Sequence, residues 1–380
     1  MCNKKKVLLF IDWFLPGTKS GGPVRSYANM IDHFKEEVDF FVITRDTDYC
    51  ETVAYTDVES NLWNQLQSNL SVYYLSSDNL NKSSMLRLIG EHKYDVILIN
   101  GIYSYYFSIL PLILVRKTEA KVIVSARGML NPQAFTSGAI KKKIFLQLIK
   151  FIGAYKNVIF HATNVIEKEH IRRLVTSKPI VVAPNLPRVL SNSLQVIEKE
   201  SGIIRICSFA RISPEKGTKY ILNYLFKLKT DFQVELDLFG TVYNEEYWTE
   251  CKNIISELRD NIVVRYLGDI DGSQVPSEIK KYHFLTLTSE GENFGHAILE
   301  ALAVGRPVIL SDQTPWRNLT SQKVGWDIPL SDEEAFVSAI EQAAAMGQEE
   351  YALWSKSAFE YAKAFCENPE LLEANRRLFE

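Results

Sequence analysis

The chain has 380 residues, 46% of them hydrophobic and 23% charged, and 43 Lys and Arg against 46 Asp and Glu leave a formal net charge of −3. This composition argues against disorder and fibrous structure, and the absence of a basic surplus argues against a dedicated nucleic-acid binder. The length suits two domains, while the longest apolar run, Tyr105 to Val115, falls well short of the ~20 residues needed to span a bilayer.

Lys4, Lys5 and Lys6 precede a five-residue apolar core that ends at Asp12, too short for a secretory signal and suited to a first strand. Further strands are expected at residues 39–43, 72–75, 96–99, 122–125, 158–161 and 180–182. Several are unbroken runs of Val, Ile and Leu, the pattern of a parallel sheet covered on both faces. Helices are expected between them, at 24–34, 83–91 and 166–175. Pro184-Asn185-Leu186-Pro187 and the polar stretch Ser191 to Ser201 read as a linker. The alternation then restarts, with strands at 203–209, 234–239, 263–267, 284–288 and 307–310 and helices at 215–228, 245–258, 294–304 and 332–345. The chain from 349 to 379 reads as helical. Two successive α/β domains are expected, at 1–187 and 188–355, with the helices of 356–380 packing back towards the first. The five cysteines are scattered without a CxxC pair, and the six histidines form no ligand cluster. This speaks against disulfides and structural zinc and fits a reducing cytoplasm.

Ligands of open α/β sheets bind beyond the carboxyl ends of strands, so chemistry is sought in those loops. The densest signal is Ser289-Glu290-Gly291-Glu292-Asn293-Phe294-Gly295-His296, followed by an apolar helix that carries Glu300. The free N–H groups of such a helix start suit an anion such as phosphate. Glu300 stands among Ala297, Ile298, Leu299, Ala301 and Leu302. Either it faces solvent, or it is buried and needs a partner such as the hydroxyls of a ribose. The second signal is Arg211-Ile212-Ser213-Pro214-Glu215-Lys216-Gly217, with Ser213 as N-cap and Pro214 at the first helical position. Lys216 in a first helical turn opposes the helix dipole, a mismatch that a bound anion would relieve. The third is Gly21-Gly22-Pro23-Val24-Arg25, where missing side chains allow a backbone to approach a ligand.

With these three signals in this order and separation, the chain resembles the retaining glycosyltransferases of family 4, which have the GT-B fold. Glu292 and Glu300 match that family's E-x7-E motif within EGENFGHAILEALAVGRPVILSD, Arg211 and Lys216 its Arg…Lys-Gly motif, and Gly21-Gly22 its amino-domain glycine loop. The resemblance implies a GT-B architecture of two Rossmann-like domains facing each other across a cleft. It implies that Arg211 and Lys216 neutralise the diphosphate of a UDP-sugar or GDP-sugar, that Glu300 takes the ribose hydroxyls and that Glu292 contacts the transferred sugar. Asn293, Phe294 and Gly295 would lie near sugar hydroxyls or phosphates. It implies no metal and no further cofactor. The implied acceptor is a glycan or a lipid-linked precursor in the synthesis of cell-surface polysaccharide, such as lipopolysaccharide or capsule, and the implied place is the cytoplasm or the inner face of its membrane.

The chain departs from the family pattern on the acceptor side. Many members have a His after the fifth amino-domain strand, and here Arg127 stands at that place. A second common His gives way to Asn100-Gly101-Ile102-Tyr103, and Pro-Asn-Gly at the linker to Pro184-Asn185-Leu186. Arg stays protonated and cannot act as a base. Arg127 either orients an anionic donor or acceptor group or pairs with an acid in its own loop. Lys141-Lys142-Lys143 and the following residues interleave basic and apolar side chains. That helix either lies on an anionic membrane or packs on the core with a basic outer edge. Another GT-B enzyme, such as a nucleotide-sugar epimerase, and an inactive nucleotide-sugar-binding subunit are the competing readings. A dehydrogenase is disfavoured, since no GxGxxG follows the first strand.

Overall fold

The computed structural model describes residues 4–131, 139–175, 179–188 and 194–380. Residues 189–193, within or beside the expected linker, lie outside the described residues. The chain divides into two units, Met1–Arg188 together with Pro369–Glu380, and Val189–Asn368.

The first unit is built on strands β1 (Lys5–Phe10), β2 (Val38–Arg45), β3 (Trp63–Gln67), β4 (Leu70–Leu75), β5 (Val96–Asn100), β6 (Lys121–Ser125), β7 (Val158–Ala162) and β8 (Ile180–Val182). They form one sheet in the order β3-β4-β2-β1-β5-β6-β7-β8. All neighbours run parallel except β3, which pairs antiparallel with β4. Helices α1 (Gly22–His33), α2 (Lys82–Gly90), α3 (Leu110–Leu114), α4 (Ala139–Phe151) and α5 (Val165–Leu174) lie between strands in the chain. Strand β5 is buried at every residue and β1 from Val7 to Phe10, as their unbroken apolar runs require.

The second unit holds β9 (Ile203–Phe209), β10 (Gln233–Phe239), β11 (Ile262–Gly268), β12 (Phe284–Leu287), β13 (Val308–Ser311) and β14 (Gly325–Ile328). These form an all-parallel sheet in the order β11-β10-β9-β12-β13-β14. Counted from β9 this is the Rossmann order 3-2-1-4-5-6. Helices α6 (Thr218–Lys227), α7 (Glu245–Ser256), α8 (Val275–Ile279), α9 (His296–Ala303), α10 (Glu333–Ala345) and α11 (Gln348–Cys366) complete it.

The expected third segment, 356–380, is not one body. Helix α11 stays with the second unit, where Tyr351, Trp354, Ala358 and Ala362 are buried in its cores. Only α12 (Pro369–Arg376) and the last residues belong to the first unit. There the Phe379 ring meets Phe34 and Phe40 edge-on at 5.0 and 5.8 Å, and Arg376 Nε and Nη2 each reach a Glu37 carboxylate oxygen at 2.9 Å. The apolar side chains on each helix decide which core it joins.

Two strands escape the periodicity reading. In β3, Asn64, Gln65 and Gln67 leave little apolar signal on a half-exposed edge. In β14, Gly325 and Asp327 break the run, although the strand is mostly buried.

Candidate functional site

In a Rossmann order the connections diverge at one switch point, and the loops leaving its two strands form the ligand crevice. In the second unit that point lies between β9 and β12. The loop after β9 carries Arg211 and Lys216; the loop after β12 carries Glu292, Asn293 and Gly295; and Glu300 follows on α9. The fold thus brings the two sequence signals to one place.

Their local geometry differs from expectation in two respects and decides an open alternative in a third. Pro214–Lys216 forms a separate 3-10 turn with Ser213 ahead of it, and Gly217 ends it with φ +71° before α6 begins. Lys216 is therefore outside the first turn of α6, and the Ser213 side chain makes no capping bond. Gly217 is required there. A Cβ would stand 1.9 Å from the Thr288 carbonyl oxygen, and the Thr288 hydroxyl donates to the Gly217 carbonyl at 2.8 Å. Second, α9 begins at His296 with Gly295 as N-cap at φ +76°. The Phe294 ring packs on Trp316 and Phe365 in the core, so only the Phe294 backbone remains at the loop. Third, Glu300 is 6% exposed. Ala297, Ile298, Leu299, Ala301 and Leu302 are buried around α9, which makes it a buried helix, and the solvent-facing reading of Glu300 falls.

The two loops are cross-linked. Lys216 Nζ donates to Glu292 Oε1 in a largely buried ion pair. The Glu290 N–H donates to the Glu215 carbonyl at 3.0 Å, and the Glu292 N–H to the Gln313 carbonyl at 2.9 Å. Arg211 is more exposed and lies 3.6 Å from Glu215, a pairing that contributes little in water. Among the described residues no group of three or more His, Cys, Asp or Glu is arranged to hold a metal ion.

The first unit has the same switch point between β1 and β5, with β3 and β8 added outside. Gly21 has φ +81° and caps α1, and open space surrounds a Cβ built at Gly21 or Gly22. Beyond β1 stands Asp12, which the sequence reading passed over; an acid placed directly after an apolar strand was its only signal. Ser104 Oγ donates to Asp12 Oδ1 at 2.7 Å and Arg45 lies 3.7 Å away. Burial nevertheless pushes the Asp12 carboxyl above its ordinary range.

Arg127 follows β6 in the left-handed region at φ +51°. Its guanidinium lies 4.4 Å from the centre of the Tyr27 ring, and Nη1 donates to Asn185 Oδ1. Its Nε and Nη2 are buried without a hydrogen-bond partner among the described residues. The partner is an amide, not the acid that the alternative reading called for. Asn185 belongs to a strap of five residues, each held by a side chain of the same unit. His161 Nε2 donates to the Ala183 carbonyl at 2.8 Å, and Asn375 Nδ2 to that of Pro184 at 2.8 Å. Asn29 Nδ2 and His33 Nε2 serve Leu186 and Pro187, each at 2.9 Å.

Comparison with known proteins bears on both units. Residues 192–361 match the family described as glycosyl transferases group 1. A phosphatidyl-myo-inositol mannosyltransferase of Mycobacterium leprae (strain TN) is 26% identical over 130 residues, 33% of this chain and 33% of that protein. Among solved structures, a sucrose-phosphate synthase of Thermosynechococcus elongatus superposes with TM-score 0.72 at 15% identity, covering 99% of this chain and 98% of that one. Anabaena HepE, in complex with UDP and glucose, gives 0.68 at 16% identity, covering 98% of each chain. WaaG, a glycosyltransferase involved in lipopolysaccharide biosynthesis, gives 0.67 at 12% identity, again over 98% of each. The fold is that of the GT-B glycosyltransferases. Arg211, Lys216, Glu292 and Glu300 all lie within the stretch that matches group 1.

Proposed function

We propose that the chain is a retaining, metal-independent glycosyltransferase of the family 4 type. It moves a sugar from a UDP-sugar or GDP-sugar to a glycan or lipid-linked acceptor in the synthesis of cell-surface polysaccharide, lipopolysaccharide or capsule, at the cytoplasmic side. The observation that carries the reading is the second unit's switch point, where Lys216 on the loop that also carries Arg211 pairs with Glu292 on the other, and Glu300 is buried on the helix that follows. The group 1 match over these residues, the mannosyltransferase likeness and the UDP and glucose of the HepE complex support the same donor class.

In this reading Arg211 and Lys216 hold the donor diphosphate and Glu300 holds the ribose hydroxyls. The backbone of Asn293, Phe294 and Gly295 approaches the phosphates or the sugar, and Gly21-Gly22 allows a ligand close to the backbone of the first unit. When the donor binds, Lys216 turns from Glu292 to phosphate, and Glu292 is released to the sugar. The bond from the sugar's anomeric carbon to phosphate breaks as the acceptor oxygen bonds to that carbon on the same face. The acceptor proton passes to the departing phosphate oxygen, which retains configuration and needs no enzymic base. Fixed cations stabilise the growing phosphate charge more than the ground state. Arg127, permanently charged, orients an anionic group of donor or acceptor.

A thermal-shift screen of nucleoside diphosphates and nucleotide-sugars, followed by a transfer assay, tests the reading. A donor at 100 times its dissociation constant should add about 2.7 kcal/mol of stability. Binding without transfer would assign an inactive nucleotide-sugar-binding protein, and no binding would remove the donor site. Transfer should survive EDTA. Loss with EDTA and recovery with manganese would turn attention to Asp269 and Asp271.

A further inference from the structure

The sequence leaves α4 with two alternatives, a membrane-facing helix or a core-packed one, and the structure gives it both faces. Leu146 and Ile149 are buried in the first unit's core, and Phe145 packs against Tyr103 at 5.5 Å. On the opposite side Ile140, Ile144, Leu148 and Phe151 are 75%, 60%, 56% and 89% exposed. They recur at intervals of four, four and three residues, which places them on one stripe of a helix with 3.6 residues per turn. The same rotation sets exposed Lys141 on one margin of this stripe and exposed Lys143 and Lys150 on the other. No Asp or Glu occurs between Glu119 and Glu167, a stretch that holds seven Lys and Arg in a chain of net charge −3. Arg116 Nη2 donates to the Ile152 carbonyl at 2.6 Å and brings another cation to the end of the helix.

No helix among the described residues is long and apolar enough to cross a membrane. Four large apolar side chains exposed in a row need another partner. We infer that α4 lies in the surface of an anionic lipid bilayer, with the Ile140–Phe151 stripe among the acyl chains and the flanking lysines at the headgroup phosphates. The lysines on both margins, Lys141 on one and Lys143 and Lys150 on the other, select this occupant. A second copy of the chain would bring the same cations against them, whereas an anionic surface complements both margins at once. Because the core side of the helix is already packed, docking does not require α4 to unfold or turn.

The test is co-sedimentation of the full chain with phosphatidylcholine vesicles, with and without phosphatidylglycerol. It needs neither nucleotide nor acceptor, so it stands apart from the transfer reaction. Binding is expected only with phosphatidylglycerol, weakened about fivefold for each of Lys141→Gln, Lys143→Gln and Lys150→Gln. Leu148→Ser and Phe151→Ser should each weaken it on the order of tenfold. Unchanged thermal midpoints would show these exposed positions to be silent in folding. Equal binding to both vesicles, or variants that bind as the parent does, would overturn the inference. So would a dimer that Phe151→Ser dissociates in the absence of lipid.

Discussion

The two switch points share a strand order and differ in how their loops are closed. In the second unit the loops bond to each other, through Lys216 and Glu292 and through Glu290 and Glu215. In the first unit the corresponding loops keep unused capacity. Gly21 and Gly22 face open space, and among the described residues Asn100 Oδ1, Tyr103 Oη and two Arg127 nitrogens are buried without hydrogen-bond partners, against Ser213 Oγ in the second unit's loop after β9. A donor diphosphate is nearly the same molecule in every nucleotide-sugar enzyme and can be met by fixed charges. An acceptor differs from enzyme to enzyme, and the groups that meet it follow no shared pattern.

The sharpest way to break this contrast is to remove the charges of the second unit. Lys216→Ala and Arg211→Ala should each reduce turnover about 10–1000-fold, since a donor fixed towards a developing anion contributes up to roughly 2.7–4 kcal/mol. Lys216→Ala should cost more, because it also frees Glu292 to carry unpaired charge between the loops. Both variants should fold. Full activity in both, measured as initial rates of transfer, would remove the diphosphate site from these loops.

A smaller effect is expected from Glu300→Gln. The amide keeps one acceptor in a buried place, so nucleoside diphosphate affinity should fall by about 1–3 kcal/mol with the fold retained. Calorimetric titration of the free nucleotide reads this directly. Unchanged affinity would make Glu300 a structural acid of α9.

The sequence disclosed these two loops because charges and glycines sit there against apolar strands, a contrast visible in one dimension. Gly217 was legible only as half of a Lys-Gly pair. Its reason, the Thr288 carbonyl at the end of another strand, comes from the folded sheet. Likewise the strap of residues 183–187 takes its bonds from positions as distant as Asn29 and Asn375, and no local pattern announces them. The two faces of α4 stayed undecided for a related reason. Basic and apolar residues interleave along it, and only the fold shows which of the apolar side chains join the core.

For the first unit, Arg127 gives the corresponding test. Arg127→Ala should lower turnover about tenfold, a net hydrogen bond to a charged group contributing roughly 1.5–3 kcal/mol at most, and Arg127→Lys should recover part of it. Asn185→Ala separates the two ways Arg127 can act. If Arg127 works on a ligand, Asn185→Ala retains most of the turnover. If it works only by fixing the strap, Asn185→Ala loses as much as Arg127→Ala, and the search for the acceptor group moves to Asn100 and Tyr103.

The last comparison concerns a feature the units share. Each buries one neutral histidine whose two ring nitrogens are both committed. His161 Nδ1 accepts from Ser125 Oγ at 2.8 Å while Nε2 donates to the Ala183 carbonyl at 2.8 Å. His283 Nδ1 accepts from the Arg205 N–H at 3.0 Å while Nε2 donates to the Glu198 carbonyl at 2.9 Å. A second proton would have to displace the donor at Nδ1, in a place that already disfavours charge. Burial, with Arg127 nearby, lowers His161 to about 4, and burial lowers His283 to about 3. The unfolded chain titrates these rings near 6.5. From there down to about 4 for His161, and about 3 for His283, the unfolded state binds more protons than the folded one. Stability on this account is level above neutral pH and falls as the pH drops below 6.5. One pH unit below 6.5 the loss is roughly 1.4 kcal/mol for each histidine. Denaturant unfolding at pH 7.5 and pH 5.5 measures it, with His161→Asn and His283→Asn each expected to flatten the slope whatever they do to absolute stability. A slope unaltered by either substitution would mean that the acid response lies with the carboxylates, and that the two histidines titrate alike in folded and unfolded chains.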